Sequence, residues 1–213
     1  LLREAHAGEF EIIVVCNGCN DETAACVRDR FPSVTVLERE EASKTAAINA
    51  GIEVASGDAV LLLDADIELT TDAARALFRA ARRPGVDAAV GHMAADTEGA
   101  HWMVRAFYRV WMEHPYLRNG KFAAAIALSA AGLSRVGALP DVTADDAYLR
   151  NMIPAERVAV VDTVVFLVRA PRTVSSLVRI RSRSHRGNRE LEAVEPGQGP
   201  DFSGEARGLA RRI

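Results

Sequence analysis

The chain has 213 residues, of which 49% are hydrophobic and 26% are charged, and its formal net charge is -3. This composition is typical of a globular domain with enough apolar material for a core, and it argues against a mostly disordered chain. Three cysteines are too few for a disulfide-stapled secreted mini-protein, and a near-neutral total charge gives little support to nucleic-acid binding.

The amino-terminal residues and the apolar runs bear on location. Leu1 and Leu2 are followed at once by Arg3 and Glu4, which is not the pattern of a signal peptide. The longest uncharged apolar run covers residues 122–133, whereas a membrane span needs about 20 such residues. We therefore expect no transmembrane segment and a cytoplasmic protein, either free or peripheral at the inner face of the membrane.

Short apolar runs alternate with amphipathic stretches along the first ninety residues. The pattern predicts strands over residues 11–16, 34–37, 59–63 and 86–91. It predicts helices between them, over residues 21–31, 44–55 and 71–83. Strands that alternate with helices indicate an α/β sheet with right-handed crossovers and ligands at the carboxyl ends of its strands.

The regular alternation of predicted strands and helices ends after Gly91. An aromatic-rich helix is predicted over residues 100–112, and its stripe either packs against the sheet or forms a wall on the acceptor side of a site. The later predicted elements are a strand at 122–128, a helix at 129–137, a loop entering a helix at 141–151, strands at 158–161 and 164–168, and a basic helix or loop from 173. Residues 196–200 are rich in Pro and Gly, so we expect one domain over residues 1–192 and a flexible tail over 193–213.

Two carboxylates follow the most apolar predicted strand. Asp64 and Asp66 stand where the run 59–63 ends, which is the expected place for a ligand site in an α/β fold. They are either ordinary turn residues or ligands of a hard divalent cation, which prefers oxygen donors. Residues 45–74 carry six acids and no Lys or Arg, whereas residues 169–189 carry seven Arg and no acid. Such opposite local charges suit a site for a metal and a phosphate, or else two solvated helix faces.

Two further segments, residues 142–146 and 179–188, carry polar groups that could take part in binding or catalysis. In the first, Thr143 or Asp145 could cap the following helix, or one carboxylate of Asp145 and Asp146 could accept a proton from a substrate hydroxyl. In the second, arginines could bind phosphate, and His185 is either a surface residue or a metal ligand. The arginines concerned are Arg179, Arg181 and Arg183.

Residues 16–19 read Cys-Asn-Gly-Cys between a predicted strand and a predicted helix. This order resembles a thioredoxin redox site, although the aromatic residue that normally precedes it is absent. A tight turn at Asn17 and Gly18, with Asn20 or Asp21 as the helix cap, explains the segment better.

Four segments, in the same order, resemble glycosyltransferase family 2, whose members have the GT-A fold. Residues 11–23 resemble its second-strand segment, and residues 43–51 resemble its G-K-x-x-A-x-N-x-G helix start, with Ser43 in place of the first Gly. Residues 64–66 (D-A-D) resemble its D-x-D motif, and residues 144–146 (A-D-D) resemble its x-E-D motif. Each pattern alone is weak, but the combined order is specific.

The resemblance covers about residues 9–190 and implies an α/β, GT-A-like (Rossmann-like), mostly parallel sheet flanked by helices, with a C-terminal acceptor-side subregion. The sequence also departs from the family. The first strand, ending in P-x-x-N/D-E, is not found ahead of residue 11, and Cys16 replaces an Asp of the second-strand motif. Asp145 replaces Glu, and Ile48 stands where some relatives have Arg, with Lys44 available to supply that charge.

The resemblance implies a metal-assisted, inverting transfer of a sugar from a nucleotide-diphosphate sugar (UDP- or GDP-linked) to an acceptor hydroxyl of a lipid, a saccharide or a small metabolite. It implies Mg²⁺ or Mn²⁺ held by Asp66, Asp64 and His185, with Asp146 as the catalytic base and Asp145 in support. The residues it implies for the donor are Asn17, Lys44, Asn49, Asp64, Arg179, Arg181 and Arg183.

Two alternatives stay open from sequence. A haloacid-dehalogenase-like phosphatase also has D-x-D after an apolar strand and would use Asp64 as its nucleophile, with Lys121 as its later Lys. A truncated, non-catalytic nucleotide-binding remnant would keep the fold without turnover. The expectation that separates these readings is that Asp64 and Asp66 share one cleft with Asp146.

Overall fold

The computed structural model describes residues 4–114, 117, 122 and 124–194. Within them the strands are β1 (Ile13–Asn17), β2 (Thr35–Arg39), β3 (Ala59–Leu63), β4 (Ala88–Asp96), β5 (Ala125–Ser129) and β6 (Val158–Arg169). The helices are α1 (Thr23–Arg30), α2 (Lys44–Val54), α3 (Thr71–Ala81), α4 (Trp102–Trp111), α5 (Ala130–Val136), α6 (Asp145–Met152) and α7 (Val174–Val194), with a 3₁₀ turn at Ala155–Arg157.

The strands form a four-stranded sheet in the order β3-β5-β4-β6 and a separate parallel pair, β1 and β2. β4 and β6 run parallel, whereas β5 runs antiparallel to both β3 and β4. The predicted α/β class with helices flanking a sheet is confirmed. The sheet is more mixed than the alternation of strands and helices indicated, because such alternation reports the type of each element and not its direction.

The two strands predicted at 158–161 and 164–168 are one strand, β6, whose pairing with β4 shifts register between Val90 and His92. Gly91 lies at that shift, and a Cβ there would come within 2.6 Å of a Val164 methyl group. The absence of a side chain therefore permits the close approach of the two strands.

Side chains of the four-stranded sheet alternate between two apolar layers. Ala89, Ala125 and Ala127 face one layer, in which α3 contributes the fully buried Leu77. The intervening residues of β4 and β5 face the second layer, which contains residues of α5 and α6 such as Leu149. Helices on both faces leave the strand ends as the accessible part of the sheet.

The pair β1–β2 and the four-stranded sheet are separated by a slot. β1 and β3 each pair with one strand among the residues that the structure describes. Their other edges line a shared cavity of about 1650 Å³. The Glu11 carboxylate accepts hydrogen bonds from the backbone N–H (2.8 Å) and the hydroxyl (3.0 Å) of Ser56, so the residues just before β1 and just before β3 are in contact.

Residues 193 and 194 of the predicted tail end α7, and the rest of it lies outside the described residues, as does Lys121. Across the described part of the chain, every helix is too short or too polar to cross a bilayer.

Candidate active site

The two carboxylates after β3 face the cavity at the carboxyl ends of the strands. Asp64 leaves the sheet with its backbone N–H bonded to the carbonyl of Ala124 (2.8 Å), and its own carbonyl accepts from Ile67 (3.2 Å) to close a turn. The side chains of Asp64 and Asp66 both line the cavity. The strand therefore delivers them to the place where the sequence predicted a ligand site.

The acids of the second predicted segment begin α6 and line the same cavity. The helix has Ala144 as its N-cap without a side-chain capping bond. Thr143 instead donates its hydroxyl to Glu190 of α7 (2.7 Å), so neither Thr143 nor Asp145 acts as a side-chain cap. Asp146 accepts a hydrogen bond from the N–H of Ala147 (2.9 Å). The structure thus brings Asp64 and Asp66 into one cleft with Asp146.

Lys44 joins the two acidic segments. Its ammonium lies 2.9 Å from a carboxylate oxygen of Asp64 and 2.9 Å from one of Asp145. Burial by itself lowers the pKa of Lys44, but the charges of Asp145 and Asp64 outweigh it and hold that pKa above its ordinary value. Lys44 is therefore a fixed positive charge between the two carboxylates.

The amino end of α2 sets the position of Lys44. Ser43 caps the helix by accepting from the N–H of Ala46 (3.2 Å), and its hydroxyl donates to Asp141 (3.1 Å) in the loop before α6. Asn49, one turn later, bonds the backbone of Leu139 instead of lining the cavity. The structure thus gives Asn49 a contact that ties α2 to the loop before α6, rather than a place on the cavity wall.

The basic segment is a helix, and three of its predicted residues line the cavity: Arg181, Arg183 and His185. Arg179 is exposed outside that lining. Helical periodicity alone does not explain this difference, because Arg181 and Arg183 are themselves about 200° apart on the helix and both line the cavity.

The aromatic helix α4 has a buried side and a side that lines the cavity. Val104 and Tyr108 are buried and pack with Leu177 of α7. Phe107 and Trp111 stack on each other, with ring centroids 5.9 Å apart, and both also line the cavity. The guanidinium of Arg181 lies 5.9 Å from the Phe107 centroid and 5.3 Å from that of Trp111. Cation–π contact therefore holds Arg181 at the cavity wall.

Sequence reasoning did not single out several residues of the cavity lining, among them His114, Arg150 and Asn151. Their types and spacing carry no motif, so only the fold brings them here. Gly187 of α7 also lines the cavity and lies against the start of α6, where a Cβ would meet Thr143 and Ala144 at 3.1–3.2 Å. Its small size closes the contact between α7 and the helix that carries Asp145.

The Cys-Asn-Gly-Cys segment forms a turn rather than the start of a helix. Gly18 has a φ of +63° and its N–H bonds to the carbonyl of Arg39 (2.8 Å). A Cβ on Gly18 would come within 2.6 Å of the Ala42 Cβ, so glycine is required. Burial raises the pKa of the Cys16 thiol, the opposite of what a redox-active thiolate needs. Asn17, which lies between Cys16 and Gly18 in the sequence, lines the cavity.

The donor set at the strand ends suits a hard cation. Asp64 and Asp66 offer oxygen ligands, and Mg²⁺ is commonly held by one or two carboxylates together with substrate phosphates. Over residues 4–114, 117, 122 and 124–194, no group of three His, Cys, Asp or Glu side chains is arranged to hold a metal alone. The residues therefore fit a cation whose remaining ligands come from a phosphate-bearing substrate.

Comparison with known families agrees with this fold. The model of "Glycosyl transferase family 2" matches residues 1–135, and the chain belongs to this family. An N-acetylglucosaminyltransferase of Rhizobium sp. (strain N33) is 29% identical over 110 residues, which cover 49% of this chain and 24% of that protein. An undecaprenyl-phosphate 4-deoxy-4-formamido-L-arabinose transferase of Pseudomonas fluorescens is 42% identical over 65 residues, which cover 28% of this chain and 19% of that protein.

Solved structures of the same fold include glucosyl-3-phosphoglycerate synthase of Mycobacterium tuberculosis in complex with Mn²⁺, UDP-glucose and phosphoglyceric acid. It aligns with a TM-score of 0.58 and 17% identity over 85% of this chain and 67% of that one. Mannosyl-3-phosphoglycerate synthase of Rubrobacter xylanophilus aligns with a TM-score of 0.57 and 16% identity over 90% of this chain and 67% of that one. The fold is therefore the GT-A fold, as predicted.

The matched regions span about a quarter or less of the curated relatives' length. The family is that of a transferase, which favours this class over the phosphatase alternative.

Proposed function

We propose that this chain transfers a sugar from a nucleotide-diphosphate sugar to an acceptor hydroxyl, with inversion at the anomeric carbon and with the help of Mg²⁺ or Mn²⁺. One observation carries the proposal: the Asp64–Asp66 corner and the Asp145–Asp146 corner face a single cavity and are joined by Lys44. A donor site and an acceptor base must adjoin in just this way for direct displacement.

The donor diphosphate lies between the acidic strand ends and the basic helix α7. Arg181 and Arg183 face the cavity from α7, and a guanidinium can bind phosphate oxygens in pairs. Asp64 and Asp66 are the cation ligands, with His185 as a further candidate on the cavity wall. When bound, the divalent cation neutralises charge that develops on the leaving diphosphate.

Asp146 is the base. The side chain of Asp145 is only 13% exposed and is held by the Lys44 ammonium, which favours a role in support rather than in proton transfer. Asp146 is only partly buried and faces the same cavity. Its carboxylate accepts the proton of the acceptor hydroxyl as that oxygen bonds to the anomeric carbon and the bond from that carbon to the diphosphate breaks. Attack from the face opposite the leaving group inverts the anomeric centre.

The donor is a UDP- or GDP-sugar, and the acceptor is a hydroxyl of a lipid, a saccharide or a small metabolite. The M. tuberculosis relative, whose complex contains Mn²⁺ and UDP-glucose, supports a uridine donor as the first to be tested. Both α4 and α7 contribute residues to the cavity lining, which supports an acceptor that contacts the aromatic residues of α4.

The test is a transfer assay with UDP- and GDP-sugars, Mn²⁺ and a panel of acceptors. Asp146→Asn should lower kcat about 10²- to 10⁴-fold, since it removes a general base. Its nucleotide binding, followed by thermal shift, should persist. Asp58→Asn, which changes an exposed carboxylate that does not itself line the cavity, is the control and should keep full activity.

A full rate in Asp146→Asn contradicts the base assignment. A wild-type chain whose melting temperature rises with UDP or GDP plus Mn²⁺, but which transfers and hydrolyses nothing, contradicts the transferase and supports the nucleotide-binding remnant instead.

A further inference from the structure

Lys44 occupies an electrostatically unusual position. It is the first residue of α2, where the positive end of the helix dipole disfavours a cation. Its ammonium is instead balanced by two carboxylates from different elements, Asp64 after β3 and Asp145 at the start of α6. The charge at this point is therefore set by the two acids and not by the helix.

The two ion pairs of Lys44 differ in their exposure. The side chain of Asp64 is 36% exposed toward the cavity, whereas that of Asp145 is 13% exposed. Water and salt weaken an exposed ion pair more than an enclosed one. A competing cation can therefore displace the Lys44 ammonium from Asp64 more easily than from Asp145.

We propose that Lys44 is an exchangeable counter-cation of the ligand-free site. A divalent cation that binds Asp64 displaces the ammonium from that carboxylate, and Lys44 remains on Asp145, within the cavity that receives the donor. This inference rests on the proposed function, which assigns Asp64 to the cation.

The exchange has a thermodynamic consequence. Two cations compete for Asp64, so the divalent cation alone binds weakly. A donor diphosphate attracts both the cation and the released ammonium, so cation and nucleotide strengthen each other's binding. By linkage this coupling is reciprocal, and it depends on the charge of Lys44.

The chain's lysine content makes the displacement directly observable. Lys44 and Lys121 are its two lysines. Lysine labelled with ¹⁵N at Nζ therefore gives two side-chain signals, and Lys44→Arg assigns them. Mg²⁺, which is diamagnetic, should shift the Lys44 signal, and UDP added with Mg²⁺ should shift it further. A Lys44 signal that does not respond to Mg²⁺, with or without UDP, overturns the proposal.

Mn²⁺ affinity supplies the second measurement, made by electron paramagnetic resonance without nucleotide. Lys44→Met should bind Mn²⁺ alone at least threefold more tightly than the wild-type chain, because the competing charge is gone. Lys44→Arg, which keeps that charge, should stay near wild type. Lys44→Met should also lose most of the gain in Mn²⁺ affinity that UDP gives the wild-type chain.

Circular dichroism confirms that the variants are folded, and the Nζ experiment on the unaltered chain decides the question if Lys44→Met is not. An unchanged or weaker Mn²⁺ affinity in folded Lys44→Met overturns the proposal, as does the absence of Mn²⁺ binding to both chains. A failure of sugar transfer, with these cation readouts as expected, overturns the proposed function alone.

Discussion

The side-chain amide of Asn49 forms two hydrogen bonds with the backbone of Leu139, donating to its carbonyl and accepting from its N–H, both at 2.9 Å. These bonds fix α2 against the loop that leads into α6. Because Lys44 is on α2 and Asp145 is on α6, the Asn49–Leu139 pair supports the geometry of the site from outside it.

Asn49→Asp should therefore weaken both the fold and the site. The substitution keeps the acceptor but removes the donor, and the Leu139 carbonyl loses its partner; an unpaired, poorly solvated polar group costs about 1–3 kcal/mol. Chemical denaturation should show this loss in the free energy of unfolding. Asn49→Ala, which removes both bonds, should be at least as destabilising, and a stability equal to wild type in both variants would contradict the assigned contact.

Asp87 carries a second structural prediction. Its side chain is fully buried and accepts hydrogen bonds from Arg135 of α5 (2.7 Å) and from Arg157 in the turn before β6 (3.0 Å). Asp87→Asn leaves two guanidinium groups without their anion. Because those groups are 39% and 40% exposed, water compensates part of the loss, and we expect a cost of about 1–3 kcal/mol. Asp58→Asn, at the exposed pair with Arg82, is the matched control and should lower the free energy of unfolding by less than Asp87→Asn does in the same denaturation series.

The same carboxylate predicts sensitivity to acid. Burial raises the pKa of Asp87, but hydrogen bonds from Arg135 and Arg157 outweigh it and hold that pKa below its ordinary value. The stabilising contribution is then complete above the pKa of the unfolded carboxyl and is lost as the pH falls through the lower, folded value. Denaturation midpoints measured downward from pH 6 should fall more steeply for the wild-type chain than for Asp87→Asn. Parallel curves would show that Asp87 does not supply this dependence.

Arg181 depends on aromatic neighbours for its position. A guanidinium stacks on the rings of Phe107 and Trp111 and still presents paired donors to phosphate, whereas an ammonium is a compact charge that stacks less well. Arg181→Lys should therefore weaken UDP binding by about tenfold despite the retained charge, as measured by calorimetry with Mn²⁺ present. Arg179→Lys, on the same helix but outside the cavity lining, is the control and should bind UDP as the wild type does.

Some elements of the fold could be predicted from the sequence and others could not. The apolar run 59–63 coincides with β3, because side chains on both faces of this strand pack against the apolar layers of the sheet. The sequence predicts a ligand site at Asp64 and Asp66, because ligands of α/β folds bind at the carboxyl ends of the strands. The direction of β5 was not predictable, since it depends on which edge of β3 was available. The ion pairs of Lys44 with Asp64 and Asp145 were not predictable either, because those acids are far from Lys44 in the sequence and only the fold brings them together.

The cavity shows the same limit more clearly. Asn17 and Arg181 were chosen from separate motifs and both line it, whereas Asn49, from a motif just as specific, bonds Leu139. A motif identifies a segment that lies near the site, but packing decides which of its side chains point into the cavity.

The slot between β1 and β3 predicts a particular pattern of amide exchange. Among the described residues each of these strands has one paired edge, so half of its backbone N–H groups point toward the cavity rather than toward a strand. Those amides should exchange with deuterium much faster than the amides of β4 and β5, whose two edges are both paired. Exchange followed by NMR supplies an internal control, because the amides of β1 that bond β2 should be protected. Strong protection on both edges of β1 and β3 would instead show that the slot is closed by further hydrogen-bonded backbone.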